Sequence, residues 1–453
     1  MRFVVLFAVL ACRPDPVHDT HPVVTTGSTP TESFPVFEGS VPRNVLMISI
    51  DTLRKDHLSR YDLAQRELTP FLDGLMNTGF VLDDHLTCSN WTFPGITCTL
   101  LGRNHTEVGF MPQLEPASER IEWPAGQAFL SDALRDAGFA TVLSSANGYL
   151  SRDWGTADGY DATSGVAFDP ADSIYAEGIA NLEAARDSGA ERWFLHLHFL
   201  EPHAPYLQHD GYTPSTSDLV PVPWDLEVKT QHYDATREWP EMSAPDRANL
   251  TAHLTRRYQG EVAFLDASLS GMFADLGARG LLDDTLVVVW NDHGESFWEH
   301  GNQSHAWTLH RPENDGLAFF WAPNIVPGAW DGPTHATDLM PTLLELLALP
   351  IPEGVTGIPL GLAPPGRARF ANTVARAGVQ QSVQIGKNKL LYEWTGSAAV
   401  YDLSFDPAEM LGHWDPSNPT HLELWSALVP EVRALQPLVN GFPGPTAPSG
   451  VEL

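Results

Sequence analysis

TLVVVWNDHGESFWEHG, residues 285–301, is the stretch that decides the fold. Residues 286–290 form an unbroken, valine-rich apolar run, which is typical of a strand buried on both faces in a parallel sheet. Asp292 and His293 follow the strand, at the end where open α/β sheets bind their ligands, and these two side chains suit one divalent metal ion. The alternative is a strand end with a solvated aspartate and a capping histidine. This stretch alone does not decide between the two.

The alternation of strands and helices extends this interpretation to the whole chain. Buried strands and amphipathic helices alternate up to about residue 350, which predicts an α/β fold with a doubly wound, mostly parallel sheet flanked by helices. The remaining residues lose this alternation and predict a small C-terminal antiparallel α+β subdomain. The predicted bounds are 44–365 for the main domain and 366–453 for the subdomain. Within the main domain we expect an irregular, proline-containing excursion on the substrate side at 210–245 and a helix at 335–347.

The acidic composition argues against some classes of binding partner. The 453 residues include 57 acidic and 26 basic side chains, a formal net charge of −31. This balance argues against nucleic acid or an anionic lipid surface as the main partner. No apolar run reaches the roughly 18 residues needed to cross a bilayer.

The amino terminus predicts export. A short apolar run follows Arg2 and ends in Val-Leu-Ala before Cys12, which predicts a signal segment over 1–12 with Cys12 as a lipid-anchored mature terminus. An ordinary secretory signal is the alternative, and both place the protein in the periplasm or at the cell surface. Residues 13–43, rich in Pro, Thr and Ser, predict a disordered tether. In an oxidising compartment Cys88 and Cys98 could form a disulfide, and two buried free thiols are the alternative.

Chemically capable residues follow five predicted strands. Because the carboxyl ends of parallel strands meet at one sheet edge, the sequence predicts that these residues share a single site. They are Asp51, Thr92 in its loop, Asn147, His203 and the pair Asp292-His293. In contrast, His196 and His198 lie two apart on one strand, and we interpret them as packed structural histidines.

Four motifs carry a family resemblance. They occur in the order NVLMISIDT (44–52), CSNWTFPG (88–95), FLEPHAPY (199–206) and DHGE (292–295). This order resembles the sulfatase family of the alkaline-phosphatase-like superfamily, over about residues 44–409. The resemblance implies one divalent metal ion, which could be Ca, Mg, Mn or Zn.

The resemblance implies a metal site and a nucleophile. Asp51, Asp292 and His293 match metal ligands of the family, and Thr52 lies where many sulfatases have a further aspartate. Thr92 matches the nucleophile and would also contact the metal. A threonine hydroxyl has too high a pKa to attack unaided at neutral pH, and a divalent cation lowers that pKa.

The resemblance also implies anion-binding and acid–base residues. His203 matches the histidine of the Pro-His motif, which contacts the ester or its leaving oxygen, and His305 lies where the family binds the anionic group. Both can stabilise developing charge and protonate the leaving alkoxide. Asn147 and His300 match substrate-binding positions, and His335 matches a family histidine of less defined role.

The sequence departs from sulfatases proper at the nucleophile. The family has Cys or Ser two residues before the proline and Arg two residues after it, whereas this chain has Thr92 and Ile96. Threonine is not converted to formylglycine, so a threonine ester must be released by hydrolysis or transfer. Threonine nucleophiles are the pattern in superfamily members that act on phosphate mono- and diesters.

Three functional hypotheses follow. The first is an exported sulfatase-family metallohydrolase that cleaves a sulfate or phosphate ester of a small molecule, glycan or lipid through Thr92. The second is a phosphodiesterase, phosphatase or phosphotransferase of the same superfamily. The third is a catalytically inactive surface binding protein on this scaffold. Membrane contact is expected only through the N-terminal lipid anchor.

Overall fold

The computed structural model describes residues 34–65, 67–113 and 121–453. The predicted signal segment, Cys12 and residues 13–33 of the predicted tether lie outside the described residues. For residues 34–43 the prediction of a disordered tether is wrong, because these residues pack on the main domain. Phe37 forms an isolated β-bridge with Ile325, and the backbone N–H of Val326 donates to the carbonyl of Val36 at 2.7 Å.

The strands form three sheets within the described residues. In chain order the strands are β1 (Asn44–Ile50), β2 (Phe80–Leu86), β3 (Ala140–Ser145), β4 (Ala162–Ser164), β5 (Trp193–Phe199), β6 (Thr285–Asn291), β7 (Ser296–Phe297), β8 (Gln303–Ser304), β9 (Asp315–Gly316), β10 (Ala318–Trp321), β11 (Gly328–His335), β12 (Ala368–Ala375), β13 (Gly378–Ile385), β14 (Asn388–Glu393) and β15 (Ala398–Asp402). Nine of them form the central sheet, in the order β11-β2-β10-β6-β1-β5-β3-β4, with β9 paired to β2.

The central sheet is mostly parallel. Strand β1 pairs in parallel with β5 and β6, and β3 pairs in parallel with β5 and β4. Strand β10 is antiparallel to both β6 and β2, which leaves β2 parallel to β6. The strands that precede the predicted site residues therefore all end at one edge of the sheet, as the sequence predicted.

Helices cover both faces of the central sheet. In chain order the described helices are α1 (Pro70–Thr78), α2 (Thr92–Leu101), α3 (His105–Val108), α4 (Leu130–Asp136), α5 (Ala171–Asp187), α6 (Lys229–Glu238), α7 (Ala244–Ala278), α8 (Arg311–Asn314), α9 (Leu339–Leu346) and α10 (Pro419–Leu435). In β1, Leu46 and Ile48 point into a core shared with α1, α5 and α7, whereas Val45 and Met47 point into a core shared with α2, α4 and α9. This alternation with a period of two buries both faces of the strand and confirms the doubly wound α/β prediction.

The C-terminal part is a smaller antiparallel unit. Strands β12 to β15 pair in sequence order, each antiparallel to the next. Helix α10 packs on this sheet through Leu424, Trp425 and Leu428, around a separate hydrophobic core. The predicted α+β character of this part is confirmed.

One local prediction was wrong. Residues 210–245 were expected to be irregular, but α6 lies within them. The segment 335–347 was expected to be helical, and it is helical from Ala336 to Leu346, as a 3₁₀ turn followed by α9. His335, its first residue, belongs to β11. The ring of His335 lies 2.9 Å from the hydroxyl of Thr337 and 2.9 Å from the carbonyl of Phe370. No helix in the described part of the chain has the length and apolarity to cross a bilayer.

Candidate active site

Three buried side chains converge where β1 and β6 end. Nε2 of His293 lies 3.4 Å from Oδ1 of Asp51 and 3.5 Å from Oδ2 of Asp292. One ligand atom from each of the three residues lies within 4.8 Å of the others. Because β1 and β6 are adjacent and in parallel register, Asp51 and Asp292 leave the sheet side by side. The structure thus brings together the three metal ligands predicted from the sequence.

The donor atoms of this cluster fit a cation. Nδ1 of His293 contacts the carbonyl of Gly294 at 2.8 Å. A carbonyl only accepts, so Nδ1 carries the hydrogen and Nε2 presents a lone pair to the cluster. Oδ1 of Asp292 accepts from the backbone N–H groups of His293 and Thr52, at 2.9 and 3.3 Å. Oδ2 of Asp292 and Oδ1 of Asp51 are buried without a hydrogen-bond partner among the described residues, as expected for oxygens that bind a metal ion.

The carboxylates of Asp51 and Asp292 repel each other. Burial and the negative charge of Asp51 raise the pKa of Asp292 well above its usual value. Burial would raise the pKa of Asp51 as well, but the contact with His198 and the nearby His203 and His293 hold that pKa below its usual value. Burial, together with His305, lowers the pKa of His293 to about 3, so its imidazole is neutral at pH 7. A divalent cation would offset the repulsion between the two carboxylates.

Thr92 lies beside this cluster. Its Oγ1 is 3.3 Å from Oδ2 of Asp51 and 3.4 Å from Nε2 of His293. Thr92 is the first residue of α2, so the positive end of the helix faces the same point. A Cβ on Gly95, one turn into α2, would lie 2.6 Å from the backbone oxygen of Asp292. Glycine at this position therefore allows the helix to approach the metal-ligand loop.

A disulfide joins the loop before α2 to the helix itself. Cys88 and Cys98 are bonded, with their Cα atoms 6.6 Å apart. The sequence left this pairing open. The bond therefore links the segment before Thr92 to the helix that begins with Thr92.

Two further side chains hold the carboxylate of Asp51. Nδ2 of Asn147 donates to Oδ2 at 2.8 Å, and Nε2 of His198 lies 3.5 Å from the same oxygen. Asn147 was predicted as a substrate-binding residue, and in the structure it contacts Asp51 and also lines the cavity over Thr92. His198 was interpreted as purely structural, and its contact with Asp51 corrects that interpretation.

His203 and His305 lie side by side at the same edge. Their ring centres are 5.0 Å apart, and His305 is 4.6 Å from the ring of His293. Nδ1 of His305 lies 3.1 Å from Oε1 of Glu295, and Nδ1 of His203 lies 2.6 Å from the carbonyl of Ala204. Burial lowers the pKa of His305, and burial raises the pKa of Glu295 to about 7. The Glu295 carboxyl therefore titrates near neutral pH, whereas the His305 imidazole is neutral there.

A cavity of about 330 Å³ opens over Thr92. Predicted and unpredicted residues line it together: Trp91, Thr92, Asn147, Tyr149, Trp154, Phe168, His203, Lys229, Tyr233, His305 and Arg376. Lys229 and Tyr233 come from α6, so the 210–245 excursion does border the site. The sequence offered no signal for Lys229 or Arg376, because neither lies in a motif or at the end of a central-sheet strand. Glu295 lies within the DHGE motif and could have been singled out there.

Two predicted site residues are not part of this convergence. Thr52 contacts Asp292 through its backbone N–H, while its Oγ1 is buried without a hydrogen-bond partner among the described residues, and its role as a ligand stays a prediction. His300 lines a different cavity and stacks on His310 with ring centres 3.7 Å apart. The structure therefore does not bring His300 to the Thr92 cavity, and its role in substrate binding stays a prediction.

His300, His310 and Glu409 form a second group with metal-ligand spacing. The ammonium of Lys389 lies 2.8 Å from Oε1 of Glu409 and already supplies the positive charge there. The imidazole planes of His300 and His310 are parallel within 5°, so their in-plane lone pairs do not converge on one point. This group therefore does not fit a metal ion as well as the cluster of Asp51, Asp292 and His293.

The sequence is related to a known family over about two thirds of its length. The profile of the Sulfatase family matches residues 43–349. The chain is 24% identical over 254 residues to a choline-sulfatase of Rhizobium meliloti (strain 1021), covering 49% of this chain and 46% of that protein. It is 23% identical over 266 residues to an arylsulfatase of Clostridium perfringens (strain 13 / Type A), covering 55% and 50%. The chain thus spans about half the length of these relatives.

Solved structures match a larger part of this chain than the related sequences do. A phosphonate monoester hydrolase from Silicibacter pomeroyi has a TM-score of 0.66 at 20% identity, covering 88% of this chain and 96% of that chain. A 2-O GAG sulfatase has a TM-score of 0.66 at 18% identity, covering 87% and 92%. At these identities the similarity shows the fold alone. The family profile spans more than half of the chain and includes the three motifs that bring Asp51, Thr92 and Asp292-His293 together, and this chain belongs to the sulfatase family.

Proposed function

We propose that this protein hydrolyses a sulfate or phosphate-type ester through the hydroxyl of Thr92. The observation that carries the proposal is the position of Thr92 Oγ1, within 3.4 Å of both Asp51 and His293, at the start of α2 and on the floor of a cavity. A hydroxyl placed against metal-ligand side chains and a helix N-terminus fits nucleophilic attack on an anionic ester.

The chain supplies a group for each part of the reaction. Oγ1 of Thr92 would lose its proton to water and bond to sulfur or phosphorus while the bond to the leaving oxygen breaks, and His203 or His305 would protonate that oxygen. A water molecule would then attack sulfur or phosphorus and break its bond to Oγ1. Oγ1 would take up a proton again, and the sulfate or the phosphorus acid would leave. A divalent cation held by Asp51, Asp292 and His293 would lower the pKa of the hydroxyl and offset charge on the non-bridging oxygens.

Phosphorus esters are a second candidate substrate class. A formylglycine hydrate expels sulfate by collapsing to an aldehyde, whereas a threonine ester must be attacked at sulfur or phosphorus. Threonine at position 92 therefore favours substrates whose threonine ester water can attack directly, and phosphorus esters are such a class. The fold is also that of a phosphonate monoester hydrolase, which is compatible with this class.

Turnover of matched chromogenic esters tests the proposal. Purified protein would be assayed with 4-nitrophenyl sulfate, 4-nitrophenyl phosphate, bis(4-nitrophenyl) phosphate and 4-nitrophenyl phenylphosphonate, each with Ca²⁺, Mg²⁺, Mn²⁺ or Zn²⁺. We expect at least one ester to be hydrolysed by the wild type and not by Thr92→Ala. The enzyme hypothesis fails if no ester is turned over with any metal. Tight binding of an anionic ester without turnover would then support the inactive binding protein.

We also propose that the protein is exported and anchored through Cys12. The disulfide between Cys88 and Cys98 supports an oxidising compartment. We expect Cys12→Ala to move the protein from the membrane fraction to the soluble exported fraction. Unchanged fractionation of Cys12→Ala would contradict the lipid anchor.

A further inference from the structure

Two cations line the mouth of the Thr92 cavity without an acidic partner. Lys229 begins α6, and Arg376 lies in the turn between β12 and β13, yet both border the same cavity. Neither pairs with a carboxylate among the described residues. The ammonium of Lys229 lies 5.0 Å from the centre of the Phe168 ring, and the guanidinium carbon of Arg376 lies 5.7 Å from that of Trp307.

The chain as a whole is acidic, with 57 acidic side chains against 26 basic ones. Most described arginines of the excursion and of the facing helix α7 pair with a carboxylate, such as Arg256 with Asp218 and Arg257 with Glu227. Arg247 lies over the ring of Trp239 instead. Two remote segments nevertheless bring unpaired positive charge to one cavity, which makes its mouth attractive to an anion.

These cations lie nearer the solvent than the groups that meet the reacting ester, although, besides burial, the charge of Arg376 acts on His305 and helps to lower its pKa. Thr92 and His305 are buried, whereas Lys229 and Arg376 are exposed. The ester at Thr92 would already contact the helix N-terminus and the two histidines. The positive charges of Lys229 and Arg376 at the mouth of the cavity would therefore face the leaving group of the substrate.

The wall between floor and mouth is aromatic. The ring of Tyr149 lies 5.9 Å from that of Trp91 and 4.8 Å from that of Trp154, in edge-to-face contacts. These three residues line the cavity next to Thr92. Flat apolar surfaces of this kind pack against a planar or pyranose ring.

We propose that the leaving group is a ring that carries a second negative charge, a carboxylate or a further sulfate, bound by Lys229 and Arg376. This inference rests on the proposed function, since it names the substrate class for the same site. The cations would contribute mainly to substrate binding, because they lie away from the reacting atoms.

A matched pair of leaving groups tests the inference. The substrates are 4-nitrophenyl and 3-carboxy-4-nitrophenyl sulfate, with the corresponding phenylphosphonate pair. Kinetics of wild type, Lys229→Ala and Arg376→Ala would give KM and kcat. Calorimetric titration of the same esters into Thr92→Ala, alone and combined with either substitution, would give Kd without turnover. Arg433→Ala is the matched control, because Arg433 is an exposed arginine on α10, outside the cavity.

We expect the carboxylated ester to bind at least about five-fold more tightly than the plain one at low salt. Each cation substitution should raise its Kd and KM about three- to ten-fold, with kcat and the plain ester little changed. High salt should reduce the preference, and Arg433→Ala should preserve it. Equal Kd values for the two esters, or a preference that survives both substitutions, would overturn the inference. Absence of turnover with a preserved Kd preference would instead overturn the proposed function.

Discussion

Oγ1 of Thr92 lies 3.3 Å from Oδ2 of Asp51, although 41 positions separate the two residues. The contact joins the start of α2 to the end of β1, and it places a hydroxyl beside a carboxylate that also faces Asp292 and His293. The contact sets the hydroxyl that we propose as nucleophile against a carboxylate that we propose as metal ligand.

Removal of the Thr92 hydroxyl should abolish turnover without loss of the fold. We expect Thr92→Ala to lower kcat by more than about 1,000-fold, because the nucleophile is gone. Thr92→Ser keeps the hydroxyl and should retain measurable activity, so it controls for packing at the start of α2. Thermal unfolding of both variants should stay close to that of the wild type. Comparable activity in Thr92→Ala and wild type would remove Thr92 from the mechanism.

Metal binding should stabilise the protein through Asp292. A ligand that binds only the folded state at 100 times its Kd adds about 2.7 kcal/mol to the free energy of unfolding. We expect a divalent cation to raise the Tm of wild type and EDTA to reverse the rise.

In Asp292→Asn the amide oxygen can still accept from the backbone of His293, and the carboxylate that burial and the charge of Asp51 disfavour is gone. The metal-free variant should therefore be at least as stable as metal-free wild type, but its metal-dependent rise in Tm should be lost. Scanning calorimetry with and without each cation provides the measurement. A full metal-dependent rise in Asp292→Asn would argue against this residue as a ligand.

His198 should act by positioning Asp51. Its Nδ1 contacts Oγ of Ser49 at 2.8 Å, and its Nε2 faces Asp51. Loss of a side chain that orients a metal ligand typically costs 10- to 100-fold in metal affinity. We expect His198→Phe to raise the Kd of the metal by about this factor, as measured by calorimetric titration.

His196→Phe is the matched control for that experiment. His196 lies on the same strand and contacts Ser49 at 2.8 Å and Tyr160 at 2.8 Å, rather than Asp51. Both substitutions leave Ser49 with one partner fewer, so both should reduce stability. A metal Kd that changes equally in the two variants would show that only packing is involved.

Glu313 should make stability fall as pH rises. Burial raises its pKa to about 8, from an ordinary value of 4.5, even though Trp307, Thr308 and Ser296 donate to it. The folded state therefore binds the proton more tightly than the unfolded state, and the stability from this group is lost between about pH 4.5 and 8.

Replacement of Glu313 by glutamine isolates this contribution. The glutamine side chain would keep an oxygen for the two backbone donors and would not titrate. We expect the slope of unfolding free energy against pH to be less negative than in wild type by up to about 1.4 kcal/mol per pH unit. Urea unfolding at pH 5, 6, 7 and 8 gives both slopes. Parallel slopes for wild type and Glu313→Gln would contradict the raised pKa.

The site residues at the ends of the central-sheet strands could be predicted from the sequence. The apolar runs that form β1 and β6 need burial on both faces, and this requirement fixes a parallel sheet with helices on either side. The edge of that sheet then determines where Asp51, Asp292 and His293 must lie. His305 and Glu295 are near the same strand in sequence, and the motif around them indicates their place.

Contacts between remote segments could not be found in this way. His198 has the pattern of a packed strand histidine, and only the parallel register of β1 with β5 places Ser49 opposite it and Asp51 within reach. His300 lies near the site in sequence, but its ring stacks on His310 and faces another cavity.

The sequence by itself determined the sheet and the edge at which Asp51, Thr92, Asp292 and His293 meet, and the family resemblance supplied their proposed roles. The sheet and its edge depend on local hydrophobic periodicity and on the rule that parallel strands end at one edge. Only the tertiary structure decided which side chains complete the cavity, because Lys229 and Arg376 reach it from α6 and from the C-terminal sheet. Their position depends on how separate elements pack, and short-range sequence patterns do not encode that packing.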